Sequence, residues 1–222
     1  MTRRIGIFGG SFDPFHLGHR QVAQVALDEG GLDHLHVVPA RVSPHKQHVP
    51  PAPGEERYLM AVLGTLDEPR ITVERWELSR HGPSYAYDTV VHVREREGPE
   101  AELYWLIGAD NVGALMRWHR AEELIAACRF WVVPRAGLAG DALEAAIAGA
   151  LPAELRERVR PLPMPPVDVS STELREELQA GASVADRLPR LTALYMERYN
   201  LYPAKTADHP CQLPQAERPS KR

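Results

Sequence analysis

Ile5-Gly6-Ile7-Phe8-Gly9-Gly10-Ser11-Phe12-Asp13-Pro14-Phe15-His16-Leu17-Gly18-His19 decides how the chain is read. A short apolar run, 5–9, passes through two glycines into 17–29, where Val22, Val25, Ala26 and Leu27 recur at three- and four-residue steps. This is a strand handing over to a helix, which Gly30-Gly31 closes as a glycine C-cap. Outward from it the same rhythm repeats. Strands are predicted over 35–39, 71–77, 103–107 and 130–133, and helices over 55–66, 85–96, 122–127, 141–149, 170–178 and 189–199. Such alternation makes β-α-β units, hence an α/β fold with a parallel sheet covered by helices on both faces. The Pro- and His-rich stretch 41–54 has no period and reads as a long loop, a mild sign of function.

The 222 residues, 44% hydrophobic and 25% charged, suit one globular α/β domain, 1–202, followed by a polar, Pro-rich tail, 203–222, expected to be disordered. With 26 Lys and Arg against 30 Asp and Glu, the net charge of −4 advertises neither nucleic acid nor an acidic membrane surface, so any anion site must be local. Cys128 and Cys211 form no C-x-x-C pair, which argues against zinc modules and a disulfide framework. The basic start Met1-Thr2-Arg3-Arg4 leads into an apolar run too short for a signal peptide, and no stretch approaches a membrane span. A cytoplasmic protein is expected.

The strand-to-helix junction is where α/β folds bind phosphates, because a helix N-terminus presents unpaired N–H groups and partial positive charge. His16 and His19, three residues apart, are expected to point from one face of the first turn toward such an anion. Gly18 between them leaves room for a flat base or ribose against the backbone. The pattern is neither G-x-G-x-x-G nor a P-loop. Ser170 and Glu173 have capping-box spacing, and Arg175 follows one turn in, where its guanidinium can join a phosphate site. Gly108 and Asp110 stand at a strand's carboxyl end, where ligands collect in parallel sheets. Arg135, after another strand, is a further candidate.

These residues resemble the nucleotidyltransferases with an H-x-G-H signature, and within them the bacterial nicotinate mononucleotide adenylyltransferases. The resemblance runs from Ile5 to about Tyr202. It implies a Rossmann-like, doubly wound sheet of nucleotidyltransferase type and adenylyl transfer from ATP to nicotinate mononucleotide, giving deamido-NAD and pyrophosphate in NAD biosynthesis. It assigns catalysis to His16, His19 and Arg175. ATP falls to Gly9, Gly10, Ser11, Phe12, Gly18, Lys46, Gly108, Asp110, Ser170, Ser171 and Thr172. Lys46 belongs to Pro44-His45-Lys46, with Ser43 where many relatives have proline. Pro83-Ser84-Tyr85-Ala86-Tyr87-Asp88-Thr89 resembles a P-S-Y-T-x-x-T-L element, with Ala86 in place of threonine. There Ser84, Tyr85 and the aromatic Trp118 are implied to hold nicotinate mononucleotide, the carboxylate on backbone N–H groups and the ring on indole.

No histidine spacing suits a protein-bound metal, so Mg2+ is expected to arrive with ATP, and no tightly bound organic cofactor is expected. The partners implied are the two small-molecule substrates, without nucleic acid or membrane. Two alternatives stand beside this reading. Phosphopantetheine adenylyltransferase shares both signatures, although its first usually has threonine where His16 stands. A non-catalytic nucleotide-binding regulator on the same fold is the other.

Overall fold

Ile5 and Ile7 are fully buried because the strand that carries them, β1 (Arg4–Gly10), has a hydrogen-bonded neighbour on either side. The structure, a computed structural model, describes residues 2–42 and 52–204. In chain order β1 leads to α1 (Leu17–Asp28), β2 (His34–Pro39), α2 (Gly54–Thr65), β3 (Ile71–Val73), α3 (Trp76–Ser79), α4 (Ala86–Glu97) and β4 (Glu102–Gly108). A 3-10 helix, Ala109–Arg117, then precedes α5 (Ala121–Ala127), β5 (Arg129–Val133), α6 (Gly140–Ala150), β6 (Val159–Pro161), α7 (Ser171–Gln179) and α8 (Arg190–Arg198).

The six strands form one sheet in the order β3-β2-β1-β4-β5-β6, with every pairing parallel. The chain winds outward from β1 to one edge and from β4 to the other, so the order reverses between β1 and β4. Ligands of open α/β sheets gather outside the carboxyl ends at such a reversal. Side chains alternate across the sheet: Tyr104 and Leu106 join one core cluster, while Leu103, Trp105 and Ile107 join the other. The predicted doubly wound α/β fold is the one observed.

Two expectations change. The strand predicted over 71–77 stops at Val73, because Glu74 turns to His36 Nδ1 (2.9 Å) and Arg96 Nη1 (2.5 Å) and the chain then coils into α3. The edge strand β6 was not predicted; its three residues end in Pro161, which an edge tolerates and a sequence reading takes as punctuation. No helix among the described residues is long and apolar enough to cross a membrane. Lys46 and residues 205–222 lie outside the described residues.

Candidate active site

Gly9 and Gly10 end β1 at the reversal point. A Cβ on Gly9 would come within 2.7 Å of the Trp105 ring, so glycine is what lets β1 and β4 open a cavity between them. That cavity, about 260 Å³, has Gly9, Gly10 and Ser11 on one side, Gly108 at the end of β4, and Ser84, Tyr85 and Trp118 on the other. Tyr85 stacks on His119 with ring centroids 4.3 Å apart, an aromatic pair at its wall. A larger cavity of 670 Å³ lies between the α7–α8 connection and the residues after α8.

After Ser11 the chain turns sharply. Phe12 has φ +49, and its ring is buried edge-on against Phe8 (5.3 Å) and His19 (5.0 Å). Its side chain is therefore a core anchor, and only its backbone faces the junction. His16 is the N-cap of α1 rather than a residue of its first turn. Its Nδ1 accepts the backbone N–H of His19 (3.3 Å), and Nδ1 of His19 accepts the backbone N–H of His16 (3.2 Å). Both rings thus carry their proton on Nε2. They stack at 3.6 Å, and burial, reinforced by nearby Arg135, holds His16 down to a pKa of about 3. The pair offers neutral N–H donors, not imidazolium charge.

Gly18 is buried beneath Val167, and a Cβ there would meet Val167 Cγ1 at 2.7 Å and the His16 ring at 3.1 Å. Its missing side chain makes room for Val167 and the His16 ring to pack against the helix start.

The second signature docks on the first. Arg175 Nη1 donates to the Asp13 carbonyl (2.6 Å), with the Asp13 carboxylate at 3.6 Å, and Nη2 donates to Thr172 Oγ1 (3.4 Å). Ser171 Oγ donates to the Pro14 carbonyl (3.1 Å). The N-termini of α1 and α7 are thereby brought together. Ser170 is the N-cap of α7, but its side chain makes no capping bond, so the expected capping box is not formed. The seal on this corner comes from Ser171 instead. Arg135 donates to the Val169 carbonyl (3.1 Å), pinning the approach to α7 beside His16. Asp110 is exposed in the first turn of the 3-10 helix, whose N-cap is Gly108.

Ser84 lines the cavity and its polar groups bind within the protein. Its N–H donates to the Val42 carbonyl (3.1 Å), its Oγ accepts the Arg41 N–H (3.0 Å), and its hydroxyl reaches Glu77. The backbone N–H groups of Tyr85 and Ala86, at the start of α4, are the donors left for an anion there.

Several residues were missed. Asp13 accepts the Tyr202 hydroxyl (2.5 Å) and the Ala52 N–H (3.2 Å) besides meeting Arg175, and buried Arg57 donates to the carbonyls of Ser11 (2.7 Å) and Ala52 (2.9 Å). Burial depresses the Arg57 guanidinium, with Asp13 opposing, and raises the Tyr202 phenol. Glu77, buried, lines the cavity and accepts the Thr89 hydroxyl (2.5 Å), and burial raises its carboxyl above the usual range. Only Asp13, inside the quoted motif, had any local signal.

A family model described as cytidylyltransferase-like matches residues 7–177. A probable nicotinate-nucleotide adenylyltransferase of Thermus thermophilus is 43% identical over 199 residues, covering 90% of this chain and 99% of that one. A protein of the same description from Moorella thermoacetica is 35% identical, covering 90% and 91%. The solved nicotinic acid mononucleotide adenylyltransferase of Plasmodium falciparum, in complex with NaAD, superposes with a TM-score of 0.72 at 22% identity, covering 90% of this chain and 97% of that one. The chain belongs to the cytidylyltransferase-like family, in the branch of the nicotinate-nucleotide adenylyltransferases.

Proposed function

We propose that the chain transfers the adenylyl group of ATP to nicotinate mononucleotide, forming nicotinate adenine dinucleotide and pyrophosphate. The observation that carries this is one cavity joining the end of β1 to Tyr85 and Trp118, next to helix N-termini that Arg175 and Ser171 bind together. A phosphate oxygen of the mononucleotide attacks the α-phosphorus. The bond from that phosphorus to the bridging oxygen breaks, and pyrophosphate leaves with the electron pair.

The attacking dianion needs no base, so positioning and charge stabilisation do the work. Neutral His16 and His19 donate through Nε2–H to the phosphoryl oxygens as charge moves, and the fixed charge comes from Arg175, with Lys46 assigned to the same phosphates. Gly9, Gly10 and Ser11 offer backbone to the nucleotide, and Asp110 is suited to accept from its ribose. Trp118 stacks on the pyridine ring, and the N–H groups of Tyr85 and Ala86 receive its carboxylate.

Mg2+ is taken to come with the triphosphate, held largely by phosphate oxygens and water. Soluble substrates and product suit a cytoplasmic enzyme.

Pyrophosphate release from purified protein, ATP and Mg2+ with each acceptor tests the proposal. Turnover is expected with nicotinate mononucleotide and at most weakly with the nicotinamide form. Release only with phosphopantetheine would move the chain to that activity, and ATP binding without release for any acceptor would make it a regulator.

A further inference from the structure

At the edge of the sheet where the strands begin, away from the candidate active site, the register gathers arginines. Tyr104 pairs with Arg129, and Trp131 with Arg160, across β4, β5 and β6. Paired residues and their second neighbours share a face, so Arg4, Arg129 and Arg160 lie on the face that carries Tyr104 and Trp131. Arg4 confirms the geometry: its guanidinium lies 4.8 Å from the centroid of the Tyr104 ring and 5.8 Å from that of Trp131. With Arg158, just before β6, these arginines line a cavity of 340 Å³ whose one acidic wall residue is Glu157.

Several surface arginines elsewhere are paired with carboxylates. Arg20 meets Asp67, Arg70 meets Asp28 and Glu68, and Arg187 meets Glu177. No described residue gives the guanidinium of Arg129, Arg158 or Arg160 a hydrogen bond or an ion pair. Like charges crowded around one cavity repel each other, and here they do so in a chain whose net charge is −4. An anion entering the cavity would relieve that repulsion.

We propose that this cavity is a second anion site, for the phosphate chain of a polyphosphate or nucleoside polyphosphate. Planar guanidinium forks match phosphate oxygens bidentately. The volume falls at the small end of small-ligand pockets, which run from about 300 to 1,000 Å³. Tyr104 and Trp131 are 6% and 8% exposed, so neither ring has an open face for a base, and the phosphates are the part recognised. The seven residues of β1 put this site about 20 Å from the catalytic end of the sheet.

The test is isothermal titration of the full chain with inorganic tripolyphosphate and, separately, with ATP, comparing wild type with Arg129→Gln/Arg160→Gln. Those side chains are exposed, and a thermal melt verifies that the variant folds. The variant is expected to lose one tripolyphosphate site, or to bind there at least about tenfold more weakly, with an unchanged KM for ATP in turnover. Loss in the ATP arm as well would identify a nucleoside polyphosphate; loss with tripolyphosphate alone would identify the bare phosphate chain. Equal stoichiometry and affinity in the two proteins would overturn the site. So would a DNA duplex that binds wild type and not the variant while tripolyphosphate binds neither, since the patch would then be a nucleic-acid surface. The readout is binding, so it stands or falls apart from the proposed adenylyl transfer.

Discussion

His16 and His19 cap one helix with each other: each Nδ1 accepts the other residue's backbone N–H, at 3.3 and 3.2 Å. A second proton on either ring would occupy Nδ1 and break the cap, so the pair works from Nε2–H of neutral imidazoles. If those donors act on charge that develops during the reaction, His19→Ala is expected to lower kcat by about 10²-fold or more while KM for ATP barely moves. Steady-state pyrophosphate release measures it. Near-normal turnover would remove His19 from the catalytic set.

Burial of His16 makes stability depend on pH. His16 has a pKa of about 3 when folded against 6.5 ordinarily, its lowering caused first by burial and then by Arg135. Between these values the unfolded chain binds the extra proton, so its contribution to stability is intact above pH 6.5 and is lost as pH falls toward 3. The loss is on the order of 5 kcal/mol over the window. Asn at this position keeps an N-cap acceptor without titrating. Urea midpoints from pH 7 to 4 should therefore fall less steeply for His16→Asn than for wild type, and parallel curves would refute the assignment.

What was legible in the sequence was local. Strand, glycines and paired histidines lie within fifteen residues, 5–19, and their order alone places a phosphate site at a strand-to-helix junction. The partnership of Asp13 with Tyr202 was not legible, because 189 residues separate them and only the packing of the chain's end against the first loop joins them. Ser170 shows the converse failure. Its spacing to Glu173 fits a capping box, but its side chain makes no cap bond, and α7 is instead docked on the first loop by Ser171 donating to the Pro14 carbonyl. Glu77 was hidden inside a stretch read as a strand, where nothing marked it as lining a cavity.

Trp118 lines the same cavity as Tyr85 and packs at the margin of the core, so substitution separates stacking from packing. Trp118→Ala is expected to raise KM for the mononucleotide about tenfold or more and leave KM for ATP nearly unchanged. Initial-rate measurements with each substrate varied in turn would check it. Equal increases for both would mean that the indole only supports the fold.

Glu77 ties together the wall that Tyr85 belongs to. Its buried carboxylate accepts the Thr89 hydroxyl at 2.5 Å, one turn into α4, and meets the Ser84 hydroxyl, which in turn holds the Arg41 N–H. It is thus a positioning residue for the N–H groups at the start of α4. Removing it leaves the Ser84 hydroxyl without that acceptor and the Thr89 hydroxyl only the longer bond to the Tyr85 carbonyl (3.4 Å), at a cost of about 1–3 kcal/mol. Glu77→Ala should raise KM for the mononucleotide more than it changes kcat or KM for ATP. Glu77→Gln keeps a carbonyl acceptor of the same size and should restore most of the affinity. Thr89→Val should reproduce part of the defect, and adding it to Glu77→Ala should cost less than the sum of the two, because both break one network. Strict additivity would show that Glu77 and Thr89 act apart, and a defect that Gln cannot rescue would make the charge, not the hydrogen bonds, what the site requires.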